Sequence, residues 1–328
     1  MTALARAGRL LLAALVSLLL AAPLPAIAVE LRLALQATGT ARWELAAMQA
    51  LGLDRAHGLD LALREVADSR AGQIALLAGQ ADVILSDFVW VSLQRDAGEP
   101  IALVPHSLAV GGLVVAASSG IGTLADLAGK TIAVSGSPVD KSFVLLAARY
   151  RAETGQDLAQ SSELRFGAPP LVNQLLLEGR AQAALNLWNW SARARAAGMV
   201  ELVSVPQLLA DAGLARTPPL LGWVFRDNPD KAEAITAFLD ASFATKSALA
   251  TDDAIWDGLR PLMDVGGDEA LFTALRDAYR AGIVLSYGPE DVAAAEAYFA
   301  LVAAQGGLEA VGGAERLAPG TFWPGYRR

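Results

Sequence analysis

Short apolar runs alternate with longer stretches whose apolar residues recur at helical spacing. Residues 31–36, 59–66, 82–85 and 101–105 read as strands. Between them 42–56, 72–78 and 88–96 read as helices, with Trp43, Ala46, Ala47 and Ala50 on one side of the first. From about Val110 the alternation restarts, with strands at 113–117, 131–134, 163–166, 183–187 and 201–205 and helices at 124–127, 138–153, 170–178 and 191–197. Residues 220–225 form one more apolar strand candidate. After Asn228 the strands cease, and 229–249, 254–263, 269–281 and 289–304 read as Ala-rich amphipathic helices. Asp227, Asp253, Asp268 and Gly288 stand where N-terminal caps belong, and Pro229 and Pro289 suit first helical turns. This order predicts an α/β protein with two largely parallel sheets, its terminal helices wrapping the first unit. No period of 20–50 residues repeats, which argues against a solenoid.

The start of the chain has a different pattern. Arg6 and Arg9 are the only charges in residues 1–28, residues 10–22 are dominated by Leu and Ala, and Pro23 and Pro25 precede Ala26-Ile27-Ala28. A positive start, a short apolar stretch and a small-x-small ending describe a cleavable secretory signal peptide. The apolar run is too short for a membrane span, which needs about 20 residues. The expectation is an exported, soluble protein without a lipid anchor, most simply in a Gram-negative periplasm.

Composition narrows the function. The 328 residues carry 26 Lys and Arg against 34 Asp and Glu, a net charge of −8, with 54% hydrophobic residues. An acidic chain without a basic tract is a poor nucleic-acid binder. The absence of Cys excludes disulfides, thiolate metal sites, iron–sulfur clusters and thiol nucleophiles. Two His and no grouped carboxylates at ligand spacing argue against a bound metal. No cofactor is expected.

Several phrases resemble one family. They are HGLDLALREV (57–66), IALLAGQADVILSD (74–87), TLADLAGKTIAVSGSP (123–138) and LVNQLLLEGRAQAALNLWNW (171–190). In this order, behind a signal peptide, they resemble ABC-transporter substrate-binding proteins of the type that includes sulfonate, taurine, nitrate and thiamine-pyrimidine binders. The resemblance covers about 30–226. It implies a two-lobed periplasmic-binding-protein fold, type II-like, with a helical C-terminal extension on lobe one. Lobe one would be 29–108 plus 224–328 and lobe two 109–223, with crossings near 108–112 and 221–224. Gly111, Gly112 and Gly222 would either absorb hinge motion or serve turns and close packing. The implied partners are a small organic solute and an ABC permease–ATPase complex, with the receptor itself a monomer. A solute sensor uncoupled from transport is the alternative. An exported enzyme ranks lowest, because relatives of this fold that catalyse use Cys.

Ligands of open α/β sheets meet the loops at the carboxyl ends of strands. That rule selects Gln36, Thr38, Gly39, Arg42 and Trp43 after the first strand, where Thr38 or Thr40 equally suits a helix cap. It selects Ser86 and Asp87 after the third, Asp87 being either a cap or a contact for a cationic group. His106 ends the fourth strand, as a cleft group or a hydrogen-bonded structural one. Gly136 and Ser137 join a strand to a helix with Pro138 in its first turn and offer free N–H groups. Trp188 and Asn189 follow the strand at 183–187, with one of Trp188 and Trp190 expected in the core. Trp223 would line the cleft floor or pack in the core. With Arg42 the one obvious cationic contact, the expected ligand is a neutral, zwitterionic or sulfonate-like solute, planar ones included.

Overall fold

The structure, a computed structural model, describes residues 28–328. The targeting segment expected at 1–28 lies outside the described residues except for its last position.

Apolar strands joined by helices build two five-stranded sheets. In the first half β1 (Val29–Gln36), β2 (Leu59–Val66), β3 (Val83–Asp87) and β4 (Ile101–Ser107) alternate with α1 (Ala41–Ala50), α2 (Leu53–Ala56), α3 (Ser69–Leu77) and α4 (Phe88–Asp96). The second half contains β5 (Gly112–Val115), β6 (Thr131–Ser135), β7 (Glu163–Gly167), β8 (Ala183–Asn186) and β9 (Val200–Ser204). Its helices are α5 (Lys141–Thr154), α6 (Leu158–Ser161), α7 (Pro169–Leu177), α8 (Trp188–Ala196) and α9 (Val205–Asp211). The chain then returns, and β10 (Leu221–Arg226) inserts between β3 and β4, antiparallel to both. The sheets run β2-β1-β3-β10-β4 and β7-β6-β8-β5-β9. β1 is parallel to β2 and β3, β6 is parallel to β7 and β8, and β5 is antiparallel to β8 and β9. Two mixed sheets flanked by helices are the α/β architecture expected from the sequence.

The terminal helices α10 (Ala232–Thr251) and α11 (Asp253–Met263) pack on α1. α12 (Glu269–Ala281) lies against α8, and α13 (Pro289–Gly306) against α5. The extension therefore covers the first lobe and also touches the second. After α12 the chain pairs with the first crossing, where Leu108 N donates to the Gly282 carbonyl at 2.8 Å.

Several boundaries differ from expectation, each for a local reason. The helix expected at 42–56 is broken at Gly52, which takes φ +67°, a conformation that favours glycine and ends α1. The helix expected from Pro138 begins at Lys141, because the Asp140 side chain accepts from Ser142 N and Phe143 N and fixes the first turn there. α8 starts at Trp188, not 191, and α6 and α9 were not anticipated. Asn228 and Asp252 are the caps where Asp227 and Asp253 were expected, whereas Asp268 and Gly288 stand at their expected N-caps. Since β10 lies wholly in the first sheet, the return falls between Asp211 and Leu221, ahead of 221–224. Gly222 there answers to close packing: a Cβ on it would lie 2.2 Å from Leu103 Cγ.

Candidate functional site

The carboxyl ends of β1, β2 and β3 in lobe one and of β6, β7 and β8 in lobe two carry the loops where a solute would meet this fold. Contacts cross between the lobes beside these loops. The Trp43 and Trp188 rings meet edge to face with centroids 6.0 Å apart. Lys141 Nζ lies 3.8 Å from Asp87 Oδ1, with both side chains about one-third exposed.

Lobe one presents a polar edge. Gln36 Nε2 donates to Ser69 Oγ at 2.6 Å, and Gln73 Nε2 donates to the buried Ser86 Oγ at 3.0 Å. Thr38 is exposed and Gly39 half-buried. The N-cap of α1 carries no side-chain hydrogen bond, so neither Thr38 nor Thr40 caps it. Asp87 accepts from Trp90 N at 3.1 Å and is the cap of α4. Arg42 turns to Glu65 at 2.6 Å and to the Ala37 carbonyl. Its charge is thereby matched within lobe one. Arg70 is exposed one turn before Gln73 on α3, with no ion pair among the described residues.

Lobe two presents a different surface. Gly136 takes φ +96°, and a Cβ on it would lie 3.3 Å from the capping Asp140 carboxylate. Ser137 is exposed and Asn189 half-buried. Asn186 is buried and donates to the Pro169 carbonyl at 2.9 Å, tying the β8 loop to the β7 loop. The lobe-two surface also exposes aliphatic side chains: Val139 at 49% and Leu187 at 50% in the loops after β6 and β8, and Leu171 at 47% in the first turn of α7. The corresponding loops of lobe one expose no large aliphatic residue.

Three candidates lie in the interior instead. Trp223 is wholly buried, and its Nε1 donates to Ser242 Oγ at 3.0 Å, so it offers no surface to a cleft. His106 is buried with its ring 4.7 Å from Trp223. Trp43 is buried, and its Nε1 donates to the Leu262 carbonyl at 3.2 Å. Beneath them is a polar hub that sequence reasoning missed. Glu44 Oε2 lies 3.4 Å from Lys246 Nζ, and both side chains are buried. Lys246 Nζ and Trp223 Nε1 donate to Ser242 Oγ, which itself donates to Glu44 Oε1. Tyr279 OH donates to Glu44 Oε2 at 3.4 Å.

Burial governs the protonation of this hub. It pushes Glu44 above the usual carboxylate range, although the Lys246 charge pulls it back. It lowers Lys246, which Glu44 partly restores, and raises Tyr279 well above the usual phenol. Burial and then the Lys246 charge hold His106 far below the usual imidazole value. His106 Nδ1 is 3.4 Å from Glu44 Oε2 but has no hydrogen-bond partner, so the imidazole is neutral and the contact is not an ion pair.

The only hint of the hub in the sequence is a charged residue on each of two Ala-rich helices. Val139 and Leu187 had a clearer mark, each being an aliphatic residue inside a Ser, Pro or Asn loop. Among the described residues no three His, Asp or Glu side chains group as metal ligands.

The profile of the NMT1/THI5-like family matches residues 45–249, well over half of the chain. The protein belongs to the NMT1/THI5-like family. The matched span of this family member runs from α1 into α10, takes in every strand of the two sheets but β1, and omits α11 to α13. Solved structures share its fold at low identity. The alkanesulfonate-binding protein SsuA from Xanthomonas axonopodis pv. citri, bound to MOPS, is 19% identical with a TM-score of 0.65, over 90% of this chain and 98% of that one. The periplasmic aliphatic sulphonate-binding protein SsuA from Escherichia coli gives 19% and 0.65, over 90% and 97%. An ABC transporter protein from Parabacteroides distasonis gives 15% and 0.67, over 90% and 98%. No curated protein matches the sequence. The two-lobed periplasmic-binding-protein fold expected from the sequence is thus the fold of this chain.

Proposed function

We propose that this protein is an extracytoplasmic receptor that captures a small organic solute between its lobes and delivers it to an ABC permease–ATPase complex. Family membership and the fold shared with ligand-binding components of importers support the role. The signal-like start of the sequence supports a periplasmic location. Lobe one is 29–108 plus the chain from about 221 onward and lobe two is 109–220, since the return strand β10 already lies in the lobe-one sheet. Binding rather than turnover is the activity.

The observation that carries the ligand reading is the unlike chemistry of the two walls. Lobe one offers hydrogen-bonding groups at Gln36, Thr38, Ser86 and their partners. Lobe two offers exposed Val139, Leu171 and Leu187, with Gly136, Ser137 and Asn189 between them. A solute with a polar head and an apolar body satisfies both, and a bare inorganic anion satisfies one. Arg42 and Lys141 are paired within the protein. Among the described residues at these loops Arg70 is a cation without an ion pair and can meet a sulfonate-like head, and a neutral or zwitterionic head needs none.

The test is calorimetric titration of the mature protein, refolded once, with alkanesulfonates, alkylamines and alkanols of increasing chain length and with nitrate. Affinity should rise about fourfold per methylene, the equivalent of about 0.8 kcal/mol. Leu187→Ser should flatten that slope, and Arg70→Ala should weaken the sulfonates alone. Tight nitrate binding with no affinity for any organic member would overturn the ligand reading.

A further inference from the structure

The lobes meet at more than their connecting segments. α8, which follows strand β8 of lobe two, lies along α12 of the terminal extension. Trp188, its first residue, meets Tyr279 near the end of α12, with ring centroids 5.9 Å apart, and meets Trp43 of α1. Ala192, one turn further, is fully buried in a cluster with Trp43, Ala47, Trp256, Met263 and Tyr279. This cluster is separate from the main core, and its other buried members all come from α1 and the terminal extension.

Arg193 gives the contact direction. Its Nη2 donates to the Met263 carbonyl at 2.6 Å and its Nη1 to the Asp264 carbonyl at 3.4 Å. Met263 ends α11, and Asp264 is the one non-glycine among the described residues with positive φ, at 52°. The guanidinium therefore meets backbone carbonyls at the negative end of a helix. The fork of Arg suits two adjacent acceptors where a Lys supplies a single point.

The lobe-one side of this contact is held independently of lobe two. Trp43 Nε1 is fixed to the Leu262 carbonyl, Trp256 Nε1 to the Leu249 carbonyl at 2.9 Å, and Tyr279 OH to Glu44. Glu44 is held in turn by Ser242 and Lys246. Tyr279, Met263 and Asp264 lie beyond the span matched by the family profile, 45–249.

We propose that Trp188 and Arg193 are positioning residues for lobe closure, seating lobe two on a preformed aromatic and carbonyl platform of lobe one. The closed arrangement is then held by protein–protein contacts in addition to those a solute makes. The platform contributes to closure only when Trp188 and Arg193 are seated, and opening the cleft requires them to leave it. On the opposite flank the half-buried Lys141–Asp87 pair contributes little of this holding, and the lobes also meet where α13 packs on α5. The inference rests on the two-lobed fold alone, so a failed solute screen leaves it standing.

The chain has no Cys, which makes site-directed spin labelling direct. Ala67 and Ala168 are exposed and follow β2 and β7, the edge strands at the corresponding ends of the two sheets. With labels at Ala67→Cys and Ala168→Cys, pulsed dipolar spectroscopy without added solute should give a single narrow distance. Arg193→Ala and Trp188→Ala should each shift and broaden it toward longer separations. Arg193→Lys should recover it in part, and Trp188→Phe and Lys141→Ala should leave it unchanged. Far-UV circular dichroism confirms that each variant is folded, and Arg193→Ala, which leaves the aromatic cluster whole, carries the test if Trp188→Ala is not. A distance unchanged in both alanine variants, or a parent distribution as broad as theirs, overturns the proposal.

Discussion

Glu44, His106 and Lys246 concentrate ionisable chemistry where the interior is driest. A buried ion pair is expensive to desolvate, and removing one partner is worse because the other charge is left unmatched. His106 adds a distinct term. Its folded pKa lies below its unfolded value near 6.5, so below pH about 6.5 the unfolded chain takes up a proton that the fold refuses. Stability from this group is complete above pH about 6.5 and falls as pH drops toward the folded pKa, by at most about 1.4 kcal/mol per unit. Glu44, raised in the fold, runs the other way, its contribution fading as pH rises through its folded pKa. Subtracting the denaturation profile of His106→Leu from that of the parent should isolate the histidine slope between pH 6.5 and 5; parallel profiles would refute it. None of this was legible in the sequence. His106 and Trp223 stand at the right strand ends for cleft residues, and α10, distant in the chain, closes over them together with Glu44 of α1. Glu44 is one charge on an Ala-rich helix and does not disturb its amphipathic pattern.

At the scale of elements, hydrophobic periodicity located nearly every strand and helix, since buried strands and amphipathic helices differ in period. The errors fell where a side chain or a glycine sets a boundary. Pro138 reads as a helix start, yet Asp140 holds α5 to a later one by accepting from two backbone N–H groups at 2.9 and 3.2 Å. Asp140→Ala should lower stability by about 1 kcal/mol, read as a reduced urea midpoint at neutral pH with an unchanged slope, whereas Asp140→Asn should keep most of it. α9 escaped notice because its apolar start continues the extended pattern of β9. The polar loops of lobe one were legible as a set, because the strand-end rule depends only on topology. The aliphatic wall of lobe two was passed over, because the strand-end rule was applied to polar groups, although Val139 and Leu187 stand inside Ser, Pro and Asn loops.

For the whole molecule, the two α/β units were legible from the restarted alternation, but the insertion of β10 between β3 and β4 was not. Nothing local in an apolar strand states which neighbours it will take. That insertion sets an order of events. The strands of the second sheet are contiguous in the chain, from Gly112 to Ser204. The first sheet lacks an inner strand until residues 221–226 arrive, after the whole of lobe two has been made. Loop closure over that separation is slow and must precede the contacts that reward it. A fragment spanning 109–220 should therefore show cooperative unfolding by circular dichroism, and one spanning 29–108 should not. Equal cooperativity in the two would contradict this order. In the intact chain, amide protection should reach β5 to β9 before β3 and β4 during refolding, so the half of the protein synthesised first is the half that matures last.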